Sequence, residues 1–404
     1  MKNLLILFLV VISFAANAQR ITVSARVNDA ETNEPLGFAS VGIIGQPIGT
    51  ISNANGEFDF HFPLELRNDT LVVSMMGYER YRAPVWTLIQ NQNSTILLRK
   101  STIELQEIVV TDTLTGGDIL RSALSRIESN YPMEPFLLEA FYRDVKKVGG
   151  TYISLLEAAV KIYDENYVEP RNQHKLRERV KLIEVRKSIG YESKFTAYFD
   201  QANLLEDLLL ENSIRYRHIE PGDEFLTSIV REDNSTFDGH EIYVISTDQD
   251  ANLKLFVDKE DFSIIHMEYQ TALGSTDVQR KKNLVSKFVG SRKSIDFRRY
   301  NGKMYPSFMT MTSFINWYDE GTGALKFETE LVQQLLINKV NVNLDARMPF
   351  HGDKMRNYGL QYQDQPYNKD FWDNYNVIKD TPLDKKILED LEKIAPLEKQ
   401  FAEY

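Results

Sequence analysis

Two neighbouring residues, His240 and Glu241, are the first place where this sequence could do metal chemistry. A zinc peptidase of the H-E-x-x-H type needs a second histidine four positions after the first, so that both imidazoles bind one ion from the same helix face. Position 244 is Val244, so the motif is incomplete. We therefore expect no metal site here.

Nucleophilic and phosphate chemistry also lack the residues that they need. The chain has no cysteine, no G-x-S-x-G elbow and no glycine-rich phosphate loop of the common types. Asp258 and Glu268 could act as an acid–base pair, but acids in turns between strands are usually solvated. We predict no catalytic residue, no cofactor and a non-enzymatic protein.

Three surface features could instead bind a ligand. The first is the loop His351-Gly352-Asp353, although a turn residue that bonds its own backbone is the commoner explanation. The second is a basic run, Arg171, Lys175, Arg177, Arg179 and Lys181. It could contact anionic lipid, or it could form a solvated face together with Glu178 and Glu184. The third is an aromatic cluster, Tyr358, Tyr362, Tyr367, Phe371, Trp372 and Tyr375. These rings could stack on sugars, but more often such a run fixes a C-terminal segment to its domain.

A turn at residues 49–58 is the strongest local signal in the chain. Asn53, Asn55 and Gly56 can adopt the positive φ angles of a tight turn, and apolar Phe58 begins an alternating strand. The pattern predicts a hairpin. Its polar residues form our candidate partner-binding turn: Thr50, Ser52, Asn53, Asn55 and Gly56.

The composition is that of a globular protein with two or three domains. The chain has 404 residues, of which 43% are hydrophobic and 26% charged, and its net charge is −11. Because phosphate neutralisation needs a basic face, this charge argues against a nucleic-acid binder.

The N-terminus has the features of a secretory signal peptide. Lys2 precedes an apolar run at residues 4–14, and small residues precede the expected cleavage between Ala18 and Gln19. The run is too short to span a bilayer comfortably, and no later segment approaches about 20 apolar residues. We expect an exported protein in the periplasm or on the periplasmic side of the outer membrane.

Short apolar alternations separated by turn residues fill residues 20–100, which predicts a small antiparallel β-sandwich. Three motifs here resemble the carboxypeptidase regulatory-like domain, a prealbumin-like sandwich of many exported Bacteroidetes proteins. They are Pro35-Leu36-Gly37-Phe38-Ala39-Ser40-Val41, Gly49-Thr50-Ile51-Ser52-Asn53 with Gly56-Glu57-Phe58, and Leu71-Val72-Val73-Ser74-Met75-Met76-Gly77-Tyr78. The resemblance implies an interaction module without the catalytic domain of carboxypeptidases. Since this sandwich is regarded as carbohydrate-binding-like, it also implies a glycan as an alternative ligand.

A helix is predicted at residues 118–130, and long strands follow it. Residues 136–147 and 151–164 flank Gly149 and Gly150, a hairpin signal. A short helix is predicted at residues 202–211, and more strands are predicted between residues 241 and 336. The second domain is therefore predicted to be a curved antiparallel meander. One hairpin, at residues 255–268, resembles LolA-like half-barrels, which carry lipoproteins in the periplasm.

The prediction is thus a mainly β protein with a seven-strand-type sandwich and a larger curved antiparallel β domain with a few helices. The expected segments are a signal peptide at 1–18, the sandwich at 19–100, a linker and helix at 101–135, the meander at 136–345, and an aromatic tail with a C-terminal helix at 346–404.

The expected function is that of a cell-envelope interaction protein in which the sandwich is the adaptor for an envelope protein or a glycan. The alternatives are a periplasmic carrier of a lipid or other hydrophobic ligand in a LolA-like half-barrel, and a carbohydrate-binding envelope protein. The carrier requires an open concave face along residues 136–340, and helices that fill this face would contradict it.

Overall fold

A computed structural model describes most of the chain. The described residues are 20–91, 94–101, 113–188, 190, 195–199, 203–220, 222–247, 251–271, 279–344, 359–379 and 382–402. The expected signal peptide with its cleavage site at Ala18 and Gln19, and the loop His351-Gly352-Asp353, lie outside these residues.

Within the described residues, the first domain has seven strands in two sheets, which confirms the seven-strand-type sandwich. The strands are β1 (Arg20–Asp29), β2 (Ser40–Ile43), β3 (Gly49–Ile51), β4 (Glu57–Pro63), β5 (Thr70–Ser74), β6 (Tyr81–Pro84) and β7 (Ser94–Leu98), with helix α1 (Val85–Gln90) and a 3-10 turn (Leu64–Asn68). One sheet has the order β4-β1-β7 and the other β3-β2-β5-β6. The sandwich is not wholly antiparallel as predicted, because β1 and β7 pair in parallel.

Alternation along β4 shows why the two sheets pack together. Phe58, Phe60 and Phe62 point into the core and are buried, whereas the residues between them are half-buried. These rings pack with aliphatic residues from both sheets, including Val23 and Val73. Burial of such large side chains stabilises a domain of this size without disulfides.

The hairpin predicted around the turn at residues 49–58 is wrong, because its two strands belong to different sheets. β3 pairs with β2, whereas β4 pairs with β1. Asn53 forms a local turn in which its Oδ1 accepts hydrogen bonds from the amides of Asn55 and Glu57, both at 2.9 Å. Of the three residues expected at positive φ, only Gly56 has it, at 75°. The turn therefore carries the chain from one sheet to the other.

The second domain is built on a curved antiparallel sheet of twelve strands within the described residues. They are β8 (Phe136–Val148), β9 (Thr151–Asp164), β10 (Arg179–Lys187), β11 (Ile229–Arg231), β12 (Ser235–Phe237), β13 (His240–Thr247), β14 (Ala251–Asp258), β15 (Ile264–Thr271), β16 (Arg280–Lys281), β17 (Leu284–Tyr300), β18 (Lys303–Asp319) and β19 (Leu325–Asn341). The main path is β10-β9-β8-β19-β18-β17-β15-β14-β13-β11, while β12 pairs with β13 and β16 with β17. The sheet is more than a meander, because β8 and β19 are neighbours although far apart in sequence.

Helices cover one face of this sheet. They are α2 (Gly116–Ser125), α3 (Ile127–Asn130), α4 (Leu204–Leu210), α5 (Ser213–Tyr216) and α6 (Asp223–Ser228). Ile119, Leu208 and Leu226 from these helices share one buried cluster with alternate strand residues such as Tyr142 and Met309. The helix predicted at 118–130 is present but interrupted at Arg126, which separates α2 from α3.

The opposite face is covered by the sandwich and by a C-terminal segment. This segment contains α7 (Lys369–Trp372), α8 (Pro382–Leu391) and α9 (Leu397–Ala402), and 3-10 turns lie at Thr196–Tyr198 and Leu360–Tyr362. Trp372 packs with Phe141 and Phe308, while Ile387 packs with the strand residue Tyr152. Ile394 follows the end of α8 and is 67% exposed.

The two domains contact each other directly. The amide of Val340 in β19 donates to the carbonyl of Pro47 in the loop between β2 and β3, at 2.8 Å. Phe38 stacks on Phe308 with ring centroids 5.8 Å apart. Among the described residues, no helix is long and apolar enough to cross a membrane.

Candidate ligand-binding cavity between the two domains

The predicted partner-binding turn is largely a structural element. Thr50, Ser52 and Asn53 are at most 2% exposed, and Gly56 is also buried. The Ser52 hydroxyl donates to the carbonyl of Leu36 at 2.8 Å and accepts from the amide of Ala39 at 2.9 Å. Four of the five predicted residues are thus buried within the sandwich, and Asn55 is half-buried; a partner contact at this turn stays a prediction.

A cavity of about 590 Å³ lies where the β3-β2-β5-β6 sheet of the sandwich faces β14, β15, β17 and β18. This volume falls within the range of about 300–1,000 Å³ that is common for small-molecule sites. Its walls combine apolar side chains with a group of charged ones. The cavity is therefore our candidate site.

One row of cross-strand neighbours forms the floor of this cavity and continues beyond it. Strand register places these residues opposite one another in the order Phe256, His266, Asp296, Phe308, Leu336 and Phe141. The sandwich and the C-terminal segment cover the apolar end of the row at Leu336 and Phe141. The end with His266 and Asp296 lies under the cavity.

His266 is held between two carboxylates. Its Nδ1 lies 2.6 Å from Asp296 and its Nε2 lies 3.0 Å from Glu268. Burial alone would lower the pKa of His266, but the two carboxylates outweigh burial and raise this pKa to about 10. The hydrogen bond from His266 lowers the pKa of Glu268. The three groups form a charged unit at neutral pH.

Asp258 is buried, so the expectation of a solvated turn acid is wrong for this residue. It is 1% exposed, and burial raises its pKa above the usual range. Its Oδ2 lies 3.2 Å from the guanidinium of Arg299 and 3.3 Å from Nδ1 of His240. Asp258 and Glu268, expected as a possible acid–base pair, are thus engaged by different cations.

Three side chains that could bind a metal ion lie close together, although no metal-binding motif indicated them. His240, Asp258 and Glu260 each offer a ligand atom within 4.8 Å of the others. Arg299, however, already neutralises the buried carboxylate of Asp258, and a guanidinium so close opposes a second cation. The cluster is accounted for as an ion-pair network.

Arg298, next to Arg299, is different from the other cations of the cavity. Its guanidinium donates only to backbone carbonyls, those of Ile48 at 3.2 Å and Ile337 at 3.5 Å. In the described part of the chain, no carboxylate forms an ion pair with it. Burial lowers the pKa of Arg298 to about 10, so it remains protonated at neutral pH.

Two glycines make room for this guanidinium. Gly42 and Gly49 face each other across β2 and β3. A Cβ on Gly49 would lie 1.7 Å from a terminal nitrogen of Arg298, and one on Gly42 would lie 3.2 Å from it. The absence of side chains at both positions lets a cation from the second domain lie against the sandwich backbone.

Phe38 forms an apolar part of the cavity wall in a strained conformation. Its φ is 62°, a region that bulky residues rarely adopt. Its ring remains 50% exposed although it stacks on the buried Phe308. Such strain persists where the surrounding structure holds it, and it concentrates at ligand sites.

Several residues of the other predicted surface features have structural partners. Tyr375 donates to the carbonyl of Ala140 at 3.0 Å and Trp372 packs edge-on against Phe141, as expected for an aromatic run that pins the C-terminal segment. In the basic run, Arg177 and Arg179 pair with Glu165.

Sequence reasoning missed the cavity because its residues come from both domains. One signal was readable in β17, where polar Ser294, Asp296 and Arg298 alternate with buried Ile295 and Phe297. Three polar residues in succession on one face of a central strand indicate a covered polar surface or a site.

Comparison with protein families supports the resemblance of the first domain. Residues 23–110 match the model of the CarboxypepD_reg-like domain. The β-sandwich fold of the first domain agrees with this match. No curated protein matches the chain significantly.

Several solved structures are similar to larger parts of the chain, at low identity. A chain of the MucA/MucB complex of Pseudomonas aeruginosa is 9% identical, covers 56% of this chain and 98% of its own, and has a TM-score of 0.21. A lipovitellin structure described by its lipid–protein interactions is 9% identical, covers 56% of this chain and 27% of its own, with a TM-score of 0.27. A Bacteroides fragilis protein of unknown function is 10% identical, covers 80% of this chain and 98% of its own, with a TM-score of 0.16. At these TM-scores the similarities carry no argument about function.

Proposed function

We propose that this chain is an exported, non-enzymatic binding protein of the cell envelope that holds a small amphiphilic molecule in the cavity between its two domains. The observation that carries this proposal is the cavity of about 590 Å³, which combines an apolar wall with charged groups. Pockets with a mostly apolar lining and a few convergent polar groups are the usual form of a ligand site.

The cavity replaces the site that the carrier alternative required. That alternative needed an open face along residues 136–340, but helices α2 to α6 fill one face of the described sheet. The sandwich and the C-terminal segment cover much of the other face. A ligand in the second domain would therefore have to displace packed helices, whereas the cavity offers space already formed.

Binding rather than catalysis is favoured by the pairing of the charged groups. His266 is held by two carboxylates, and Asp258 is held by Arg299 and His240. An acid–base catalyst needs a group that can reach a substrate proton at a matched pKa. Here Asp258, Glu268, Asp296 and His266 of the cavity are already engaged in ion pairs.

A protein or glycan partner on the sandwich surface is the second candidate. The match of residues 23–110 to a regulatory-like domain favours it. Of the predicted turn only Asn55 remains accessible, so this contact would need further residues of the sandwich surface.

The proposal is tested by filling the cavity. Val72, half-buried on β5, lines it, whereas Leu97 on β7 is 50% exposed and does not. We expect Val72→Trp to weaken binding of the neutral fluorescent dye N-phenyl-1-naphthylamine at least tenfold, and Leu97→Trp to leave it unchanged. The proposal fails if the wild-type protein does not bind the dye, or if folded Val72→Trp binds it as well as the wild type.

A further inference from the structure

We infer that the ligand of this cavity is an amphiphile with one anionic head group, a carboxylate or a phosphate, and that Arg298 binds this head group. This inference rests on the proposed function, because it names the ligand class for the same cavity. It adds a charge requirement and a specificity-determining residue, neither of which follows from the apolar wall.

Arg298 has unused capacity for an anion. A guanidinium has five N–H donors in a fork that matches a carboxylate or a phosphate. Two of its contacts are to the carbonyls of Ile48 and Ile337, at 3.2 and 3.5 Å, and the longer one is weak. The side chain lines the cavity, and three of its five N–H donors form no hydrogen bond with the described residues.

The other cations of the cavity are already neutralised in the described structure. Arg80 lies 3.1 Å from Asp238, and Arg299 pairs with Asp258 and Asp261. A partly buried cation without a counter-charge is costly, and a ligand anion would remove that cost. Among the described lining residues, Arg298 has the one guanidinium that forms no ion pair. We therefore expect one anionic group in each ligand molecule.

Nearby acids do not prevent an anion from binding beside Arg298. Asp296 lies two residues earlier on β17 and therefore on the same face. Its charge is offset by His266, whose Nδ1 is 2.6 Å away, and the raised pKa of His266 keeps the ring protonated at neutral pH. Glu268 shares the same imidazolium, so the three groups together keep one net negative charge; water screens that charge, because the Glu268 side chain is 55% exposed.

The position of Arg298 places the head group at the junction of the domains. The guanidinium lies against Gly42 and Gly49 of the sandwich. Phe38 and Phe308, which stack on each other, belong to the same cavity and provide apolar surface for a hydrocarbon chain. An anionic end at Arg298 and an apolar end along these rings define an amphiphile.

The test compares three molecules that share a twelve-carbon chain and differ in the head group. Sodium dodecanoate, dodecyl phosphate and dodecanol compete with N-phenyl-1-naphthylamine, the two anions below their micelle-forming concentrations and dodecanol below its solubility limit. A charge-assisted hydrogen bond at Arg298 should make the better anion about 10- to 100-fold tighter than dodecanol. A tighter dodecanoate would indicate a fatty-acid-like source, and a tighter dodecyl phosphate a phospholipid-like source.

Arg298→Gln and the matched variant Arg292→Gln locate the effect, because Arg292 is on the same strand but is exposed and does not line the cavity. We expect Arg298→Gln to abolish the preference for the anions while it keeps binding of dodecanol, and Arg292→Gln to retain the preference. Without ligand, Arg298→Gln should be at least as stable as the wild type, because it removes an uncompensated cation; a purely structural role would make it less stable.

The outcomes separate this inference from the proposed function. If the dye binds and the anions compete no better than dodecanol, or the preference survives in Arg298→Gln, the head-group inference is overturned while the cavity remains a binding site. If the dye does not bind at all, the proposed function itself fails.

Discussion

Asn376 joins three parts of the molecule, and its removal makes the sharpest stability prediction. Its side chain pairs with both backbone groups of His61: the His61 amide donates to Oδ1 at 2.7 Å, and Nδ2 donates to the His61 carbonyl at 2.9 Å. His61 lies in β4, an edge strand of the sandwich. The carbonyl of Asn376 in turn accepts from Asn338 of β19 at 2.8 Å.

The variant Asn376→Ala should lose two hydrogen bonds at a buried position. Each is worth about 0.5–1.5 kcal/mol net, so the expected loss is about 1–3 kcal/mol. His61 is half-buried, and water can partly replace the lost partner, which argues against a larger value. If the loss appears as local opening of β4, exchange of the His61 amide should accelerate by about 5- to 150-fold.

Hydrogen exchange followed by mass spectrometry on a peptide spanning β4 measures this effect. The matched control is Asn374→Ala, because the Asn374 side chain is exposed and bonds only within its own segment, to the carbonyl of Asp370 at 2.8 Å. The reasoning is refuted if Asn376→Ala and Asn374→Ala show the same β4 exchange within about threefold. Asn376→Asp should be worse than alanine, because a carboxylate would face the His61 carbonyl without a donor.

Two further predictions concern buried charges. Arg215 forms a bidentate pair with Asp164 at 2.6 and 2.9 Å, and both side chains are 2% exposed. Arg215→Ala should lower the free energy of unfolding, measured by urea denaturation, by about 3–5 kcal/mol because it leaves a buried carboxylate without its partner. The double variant Asp164→Asn, Arg215→Met should recover part of this loss, and an equally large loss in the double variant would contradict the explanation. His266 has its folded pKa raised from 6.5 to about 10, so its contribution to stability is fully present below about pH 6.5 and is lost as pH rises towards 10. His266→Gln should flatten the decline of the unfolding free energy over this window, and an unchanged slope would show that other groups cause it.

Local patterns predicted the long strands well because each pattern is read within a single strand. The residues around Gly149 and Gly150 indicated a hairpin, and β8 and β9 end and begin at these glycines, whose φ angles are 53° and 83°. Turn chemistry and period-2 alternation are sufficient for this kind of element.

The same local patterns could not assign strands to sheets. The turn around Asn53 has the residues of a hairpin, yet β3 and β4 pair with different partners. The contact of Leu336 with Phe141, between β19 and β8, likewise spans most of the second domain and has no local signal. Register between distant strands depends on which faces are buried in the finished fold.

Arg298 shows most clearly why the site could not be read from the sequence. In the sequence it is one of two adjacent arginines, and nothing distinguishes it from Arg299. In the structure they have different surroundings: Arg299 meets Asp258 and Asp261, whereas Arg298 meets backbone carbonyls. Only the packed structure separates a paired cation from an unpaired one.

The contribution of Gly42 and Gly49 changes the role expected of the sandwich. An independent adaptor would keep its binding surface when separated from the second domain. Here the guanidinium that would bind a ligand comes from β17, while the backbone against which it lies comes from β2 and β3. Neither domain alone forms the cavity, and therefore the sandwich is one wall of the site. On this arrangement, any partner of the first domain that moves it relative to the sheet would also change the affinity for the ligand, because the two events share the same interface.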